Sequence, residues 1–254
     1  MYQKNLFLHN LDWKTLLNNA DFDDCARINP DSTLFIFDCQ QYDSLECKSI
    51  LFDCNRGVIM TNKETKKLVN ELVKSLAWSF LETRTINALK SGQSKSLPYV
   101  HGKIALIPLT GVTQHSTNWV MFNNVVGHSF NKDSQNLILH FSNFQGEKCK
   151  IEVVADKALW NQHLKIAAEH MLIQKELYRQ ESEYFKNIEE THLYRMCKEE
   201  ADVNNIYMAL KTFIDARDRI LIESAIKEVY GEEATTRAVN DVRNLVIRKL
   251  KSII

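Results

Sequence analysis

The residues that could do chemistry are scattered along the chain rather than grouped. Asp21, Asp23 and Asp24 stand close enough to pair as a general acid and base, but an exposed polar turn is the better account of three neighbouring aspartates. His163 and His170 lie seven residues apart and share one face of a helix, which supplies two metal ligands at most. The six cysteines are at 25, 39, 47, 54, 149 and 197. Cys39, Cys47 and Cys54 are spaced too widely for the close pairs of structural zinc sites, and Cys39 and Cys54, set in apolar runs, read as small hydrophobes. There is no glycine-rich dinucleotide loop, phosphate-binding loop, zinc-protease helix motif or nucleophile elbow. The expectation is a protein that is not an enzyme and needs no cofactor or metal.

Charge is the more informative chemistry. The 254 residues carry a formal net charge of zero, which argues against binding nucleic acid through bulk positive charge. The distribution is uneven, however: residues 1 to 45 sum to −4 and residues 46 to 103 to +5. A basic middle beside an acidic start suggests either an intramolecular mask or charge complementarity within one fold, and the second is the plainer account, since charged runs usually form solvated faces. With 44% apolar and 25% charged residues the composition is that of a globular protein. No secretory signal opens the chain, no window approaches the roughly 20 apolar residues of a membrane span, and a cytoplasmic location with reduced cysteines is expected.

The elements that would position these groups can be read from local patterns. Leu6 to Asn18 has helical spacing, and Pro30 ends whatever precedes it. Thr33 to Phe37 is an apolar run of buried-strand length, and Lys48 to Met60 holds two apolar patches about Arg56-Gly57, as in a hairpin. Thr61 and Glu64 offer a capping box for a helix reaching Ser91, with Leu68, Val69, Leu72, Val73, Leu76, Phe80 and Leu81 on one face. Lys63, Lys66, Lys67, Lys74 and Arg84 fall on the other, where they could meet phosphates or simply face solvent.

From Tyr99 the period changes to that of strands. Lys103 to Ile107 ends at Pro108, a polar turn runs from Thr110 to Asn118, and Trp119 to Val126, Leu137 to Phe141 and Lys148 to Val154 follow. Asp156 is placed to cap a helical stretch from Ala158 to Ile188, one long helix or two, and further helical segments occupy 193–201, 203–213, 215–230 and 232–254. The last two, joined at Gly231, suit a helix-turn-helix with Arg237, Arg243, Arg248 and Lys249 on its second helix; they suit a bare helical hairpin at least as well. The fold class is α+β: a small antiparallel β-sheet or part-open barrel with a long helix, followed by a helical C-terminal region. The division falls at 1–157 and 158–254.

Across Lys95 to Gln162 the order of landmarks is Lys95 with Pro98, Pro108 with Thr110, Trp119 with Val120, Phe141 with Asn143 and Gly146, and finally Gln162. This order resembles the ComK family of bacterial competence transcription factors, with a weak upstream extension through Cys47 and Arg56-Gly57 and without the family's Gly-Ser-Ser step. The resemblance implies a transcriptional activator that binds AT-rich double-stranded promoter DNA, largely through the minor groove, and helps RNA polymerase engage. Narrow A-tract grooves attract lysine and arginine. The matching DNA-binding candidates are Lys48, Arg56, Lys63, Lys66, Lys67 and Lys95, with Thr110, Gln114, Ser116 and Asn118 from the polar turn. Trp119 is expected to pack in the core. The C-terminal region, which the shorter family members lack, would serve homo-oligomerisation, partner binding, or turnover by a regulatory adaptor or protease, and no membrane contact is expected. The alternative is a cytosolic protein-interaction module whose helical tail binds a partner and which makes no DNA contact.

Overall fold

The computed structural model describes residues 5–7, 20–40, 46–90, 97–111, 116–142, 148–192, 194–196, 210–230 and 236–246. The α+β content is as expected, but the strands divide between two sheets. The larger one has seven strands: β2 (Asp21–Phe22), β3 (Thr33–Asp38), β4 (Ser49–Asp53), β5 (Gly57–Thr61), β6 (Tyr99–His101), β7 (Ile104–Pro108) and β8 (Trp119–Met121), in the spatial order β2-β5-β4-β3-β8-β7-β6. The smaller one holds β1 (Asn5–Phe7), β9 (Val125–Phe130), β10 (Leu137–Ser142) and β11 (Lys148–Val153), in the order β1-β11-β10-β9.

Both faces of the larger sheet are covered, which explains why its strands read as unbroken apolar runs. Along β3, Phe35 and Phe37 turn to one side and Ile36 to the other; β4 divides Ile50 and Phe52 from Leu51 in the same way. One side packs against Leu137, Leu139 and Phe141 of β10, Ile151 and Val153 of β11, and Trp160 and Ala167 of the helix α3 (Lys157–Glu183). The opposite side packs against Leu68, Val69, Leu72 and Val73 of α1 (Thr65–Ser75) and Phe80 of α2 (Phe80–Lys90). Each buried valine, leucine, isoleucine or phenylalanine among them contributes about 1.5–3 kcal/mol by leaving water, so the three layers hold one another in place. Trp119 is 1% exposed and belongs to this second layer, as expected.

Three local expectations change in the strand-rich part of the chain. Asn5–Phe7 forms a strand rather than helix, pairing in parallel with Lys150 to Glu152; the rest of the expected Leu6–Asn18 helix lies outside the described residues. The expected 61–91 helix is two helices. Thr61 is the last residue of β5, paired with Ser49, and Glu64 occupies the cap of α1 without a side-chain bond to the helix's own N–H groups. The capping box forms instead at Ser79 and Glu82, where Leu81 N–H donates to Ser79 Oγ at 3.2 Å and Ser79 N–H donates to Glu82 Oε2 at 2.7 Å. Finally, the expected Trp119–Val126 strand changes sheet midway, through a short 3-10 turn at Phe122–Asn124.

Asp156 caps α3 as expected, its Oδ1 accepting from Leu159 N–H at 2.7 Å. At 27 residues this helix is about 40 Å long. Its buried residues Trp160, His163, Ala167, His170 and Gln174 form one stripe. From Lys175 onward none of its residues is buried. Farther on, α4 (Leu210–Tyr230) packs against α5 (Thr236–Val246). No helix among the described residues is long and apolar enough to cross a membrane.

Candidate nucleic-acid interface

Antiparallel pairing brings the end of β3, the start of β4, the N-terminus of α1 and the loop between β7 and β8 to one end of the larger sheet. Lys48 N–H donates to the Thr61 carbonyl at 3.0 Å and Ser49 Oγ donates to the Lys63 carbonyl at 2.7 Å, so the chain leaving β5 is held beside the entry to β4. From there α1 starts at Thr65, whose hydroxyl donates to the Thr117 carbonyl at 2.9 Å. The loop is closed by Leu109 N–H on the Asn118 carbonyl at 3.0 Å and by Thr110, whose N–H and hydroxyl both donate to Thr117 Oγ1, at 3.1 and 2.7 Å. Asn118 Oδ1 accepts the Asp38 N–H at 2.7 Å and so fixes the loop to β3.

Of the residues singled out from sequence, Lys48, Lys63, Lys66, Lys67, Thr110, Ser116 and Asn118 therefore gather at this end. Lys95 and Gln114 lie outside the described residues. Arg56 sits in the turn at the far end of the β4–β5 hairpin, a strand length of about 17 Å away. There its Nη2 donates to the Arg27 carbonyl at 3.1 Å and its Nη1 lies 3.8 Å from Asp23. The turn itself needs Gly57, whose φ of +83° suits glycine.

The gathered cations are not equivalent. Lys63, with its side chain 14% exposed, donates to the Ala26 carbonyl at 2.9 Å and to Glu71 at 2.8 Å, and its charge is spent inside the fold. Lys48 pairs with Glu64 at 3.2 Å on the surface. Lys66 and Lys67 have no carboxylate within salt-bridge distance among the described residues, and Lys67 is exposed. They occupy the first turn of α1, which has no acidic residue and no side-chain cap. Free N–H groups and the positive end of the helix dipole add to their field, an arrangement that favours an anion.

Asp38 is the group at this end that residue type alone did not single out. It is 7% exposed, its Oδ1 has no hydrogen-bond partner among the described residues, and burial pushes its carboxyl above the usual range, with Glu64 adding to the rise and hydrogen bonds from Gln40 and Ser116 opposing it. Thr65 and Thr117 were also missed, because their roles depend on a contact across more than fifty residues. No family model matches the chain, and comparison with characterised proteins and with solved structures gave no match.

Proposed function

We propose that this protein is a DNA-binding transcriptional activator, resembling the competence factors, that docks AT-rich duplex on the end of the larger sheet where α1 begins. The observation that carries the reading is the pair Lys66 and Lys67, in the first turn of an uncapped helix and free of carboxylate partners among the described residues. Thr110 and Ser116 bring hydroxyls from the adjoining loop for phosphate or groove contacts. The preference for AT-rich DNA and for the minor groove comes from the resemblance.

A second reading, a protein-interaction module without DNA contact, is favoured by a different observation. Tyr178, Tyr184 and Phe185 are 77%, 84% and 58% exposed. Aromatics so placed are typical of contact surfaces. A salt titration of binding to AT-rich and GC-rich duplexes separates the two. The DNA reading expects tighter binding to AT-rich duplex and a log K that falls with log salt by about 0.9 per neutralised phosphate. Equal affinity for the two duplexes, or a response flat in salt, overturns it in favour of the interaction module.

A further inference from the structure

We propose that Cys39 and Cys47 form a reactive dithiol that a hydroperoxide converts to an intramolecular disulfide, closing the mouth of the β3–β4 hairpin. Cys39 follows the last residue of β3 and its N–H donates to the carbonyl of Lys48, so the ladder continues one step beyond the strands and leaves Cys47 diagonally across from Cys39. The two Sγ atoms are 3.7 Å apart and hydrogen-bonded. A disulfide needs about 2.05 Å, which two side chains can reach by sharing a shift of less than about 2 Å. Both thiols are buried, Cys47 being the more exposed at 7% against 2%.

The two sulfurs differ in reactivity. The hydrogen bond with Cys39 holds the Cys47 thiol below its usual range in spite of burial, whereas Cys39 is pushed well up by the same contact, by burial and by the neighbouring Asp38. Cys47, also the more exposed of the two and so the one a peroxide reaches first, is the nucleophile, the thiolate being the attacking form. Its sulfur attacks one peroxide oxygen and breaks the O–O bond; the departing hydroxide takes up a proton as water and leaves a sulfenic acid. Cys39 then attacks that sulfur, gives up its proton and expels the sulfenic oxygen as a second water, so that two thiols and one peroxide yield one disulfide and two waters. The thiols lose two electrons and the peroxide gains them.

The link would join residues next to Asp38 and Lys48 at the candidate interface, but it can be detected without reference to DNA. The full chain is reduced, freed of reductant, treated with a few equivalents of hydrogen peroxide, blocked with N-ethylmaleimide in denaturant, and digested with trypsin. The peptide from Ile28 to Lys48 is expected two hydrogens lighter and unalkylated, and restored by dithiothreitol. In Cys39→Ser, Cys47 is expected to stop at the sulfenic acid and to be captured by dimedone. Full alkylation of that peptide after peroxide, a link to any other cysteine, or sulfinic acid at Cys47 of the unsubstituted protein overturns the proposal. Because the mapping uses the unsubstituted chain, a variant that fails to fold does not remove the test.

Discussion

The hydroxyl of Thr65, the first residue of α1, lies 2.8 Å from that of Ser116, in the loop before β8. Thr65 gives its one hydroxyl proton to the Thr117 carbonyl, and the Ser116 hydroxyl, which also bonds the Asp38 carboxylate, ties this pair to the end of β3. Thr65→Val keeps the shape and removes both bonds, leaving a buried carbonyl unpaired. The expected loss is about 1–2 kcal/mol in urea unfolding. Ser116→Ala removes the bond to Thr65 and the one to the buried Asp38 carboxylate, and should cost about as much.

This pair of hydroxyls marks where sequence reasoning stops. The β4–β5 hairpin, the strand ending at Pro108, the β10–β11 pair and the Asp156 cap were legible because period and turn residues are local. Two Thr/Ser-x-x-Glu patterns were also present, and only tertiary structure chooses between them. Thr61 is drawn into the ladder with Ser49, whereas Ser79 is free to cap. The parallel pairing of Asn5–Phe7 with β11 spans most of the chain and leaves no local trace. At the candidate interface the lysines were visible by type, but their availability was not, since the carboxylate pairing of Lys48 and Lys63 is set by the fold.

Asp53 closes the opposite end of the hairpin. Its Oδ2 accepts from the hydroxyls of Ser32 and Thr33 at 2.8 and 3.1 Å, and its Oδ1 from the N–H groups of Asn55 and Arg56 at 3.0 and 3.1 Å. Asp53→Ala leaves four donors to find other partners and should destabilise by about 3 kcal/mol. Asp53→Asn should lie between, because its oxygen still serves the two backbone donors and the hydroxyls can rotate to accept. Equal midpoints for the three proteins in urea would contradict this role.

Glu152 gives a pH signature. It is 3% exposed, and although burial works against its ionisation, hydrogen bonds from Asn136, Ser134 and Asn131 and the nearby Lys150 hold its carboxyl below the usual range. A depressed carboxyl stabilises the fold above its unfolded-state value, and that stability is lost as pH falls through the folded value. Glu152→Gln should therefore be less stable than the unsubstituted protein near neutrality, by about 2 kcal/mol. The gap should narrow as pH drops below the usual carboxylate range, as read from unfolding midpoints across pH.

Truncation tests the division of the chain. Among the described residues, the two hydrophobic cores draw on strands, α1, Phe80 and the first half of α3, and reach no farther along the chain than Ala167. A chain ending after Glu190 should therefore unfold cooperatively, with a Tm within about 4 °C of the full-length value. Loss of a cooperative transition would show that the C-terminal helices are part of the folding unit.

The sharpest comparison sets three variants, at four basic positions, against one another in DNA binding. Lys66→Ala with Lys67→Ala removes the two cations that have no carboxylate partner, and should flatten the salt slope by about 0.9 for each phosphate that is no longer neutralised. The fold should stay intact, since neither side chain is in a core cluster. Arg56→Ala should act mainly on stability, because Arg56 is engaged with the Arg27 carbonyl and Asp23 a strand length away; a half-exposed pair of this kind contributes about 1 kcal/mol or less. Arg243→Ala, on α5, should leave DNA affinity nearly unchanged, for acids nearly match bases across the terminal helices and Arg217 and Arg219 are already paired with Asp218 and Glu223. If instead Arg243→Ala flattens the slope and the lysine pair does not, the DNA surface belongs to the terminal helices. If none of the three changes affinity while circular dichroism shows each variant folded, the interaction-module reading takes its place.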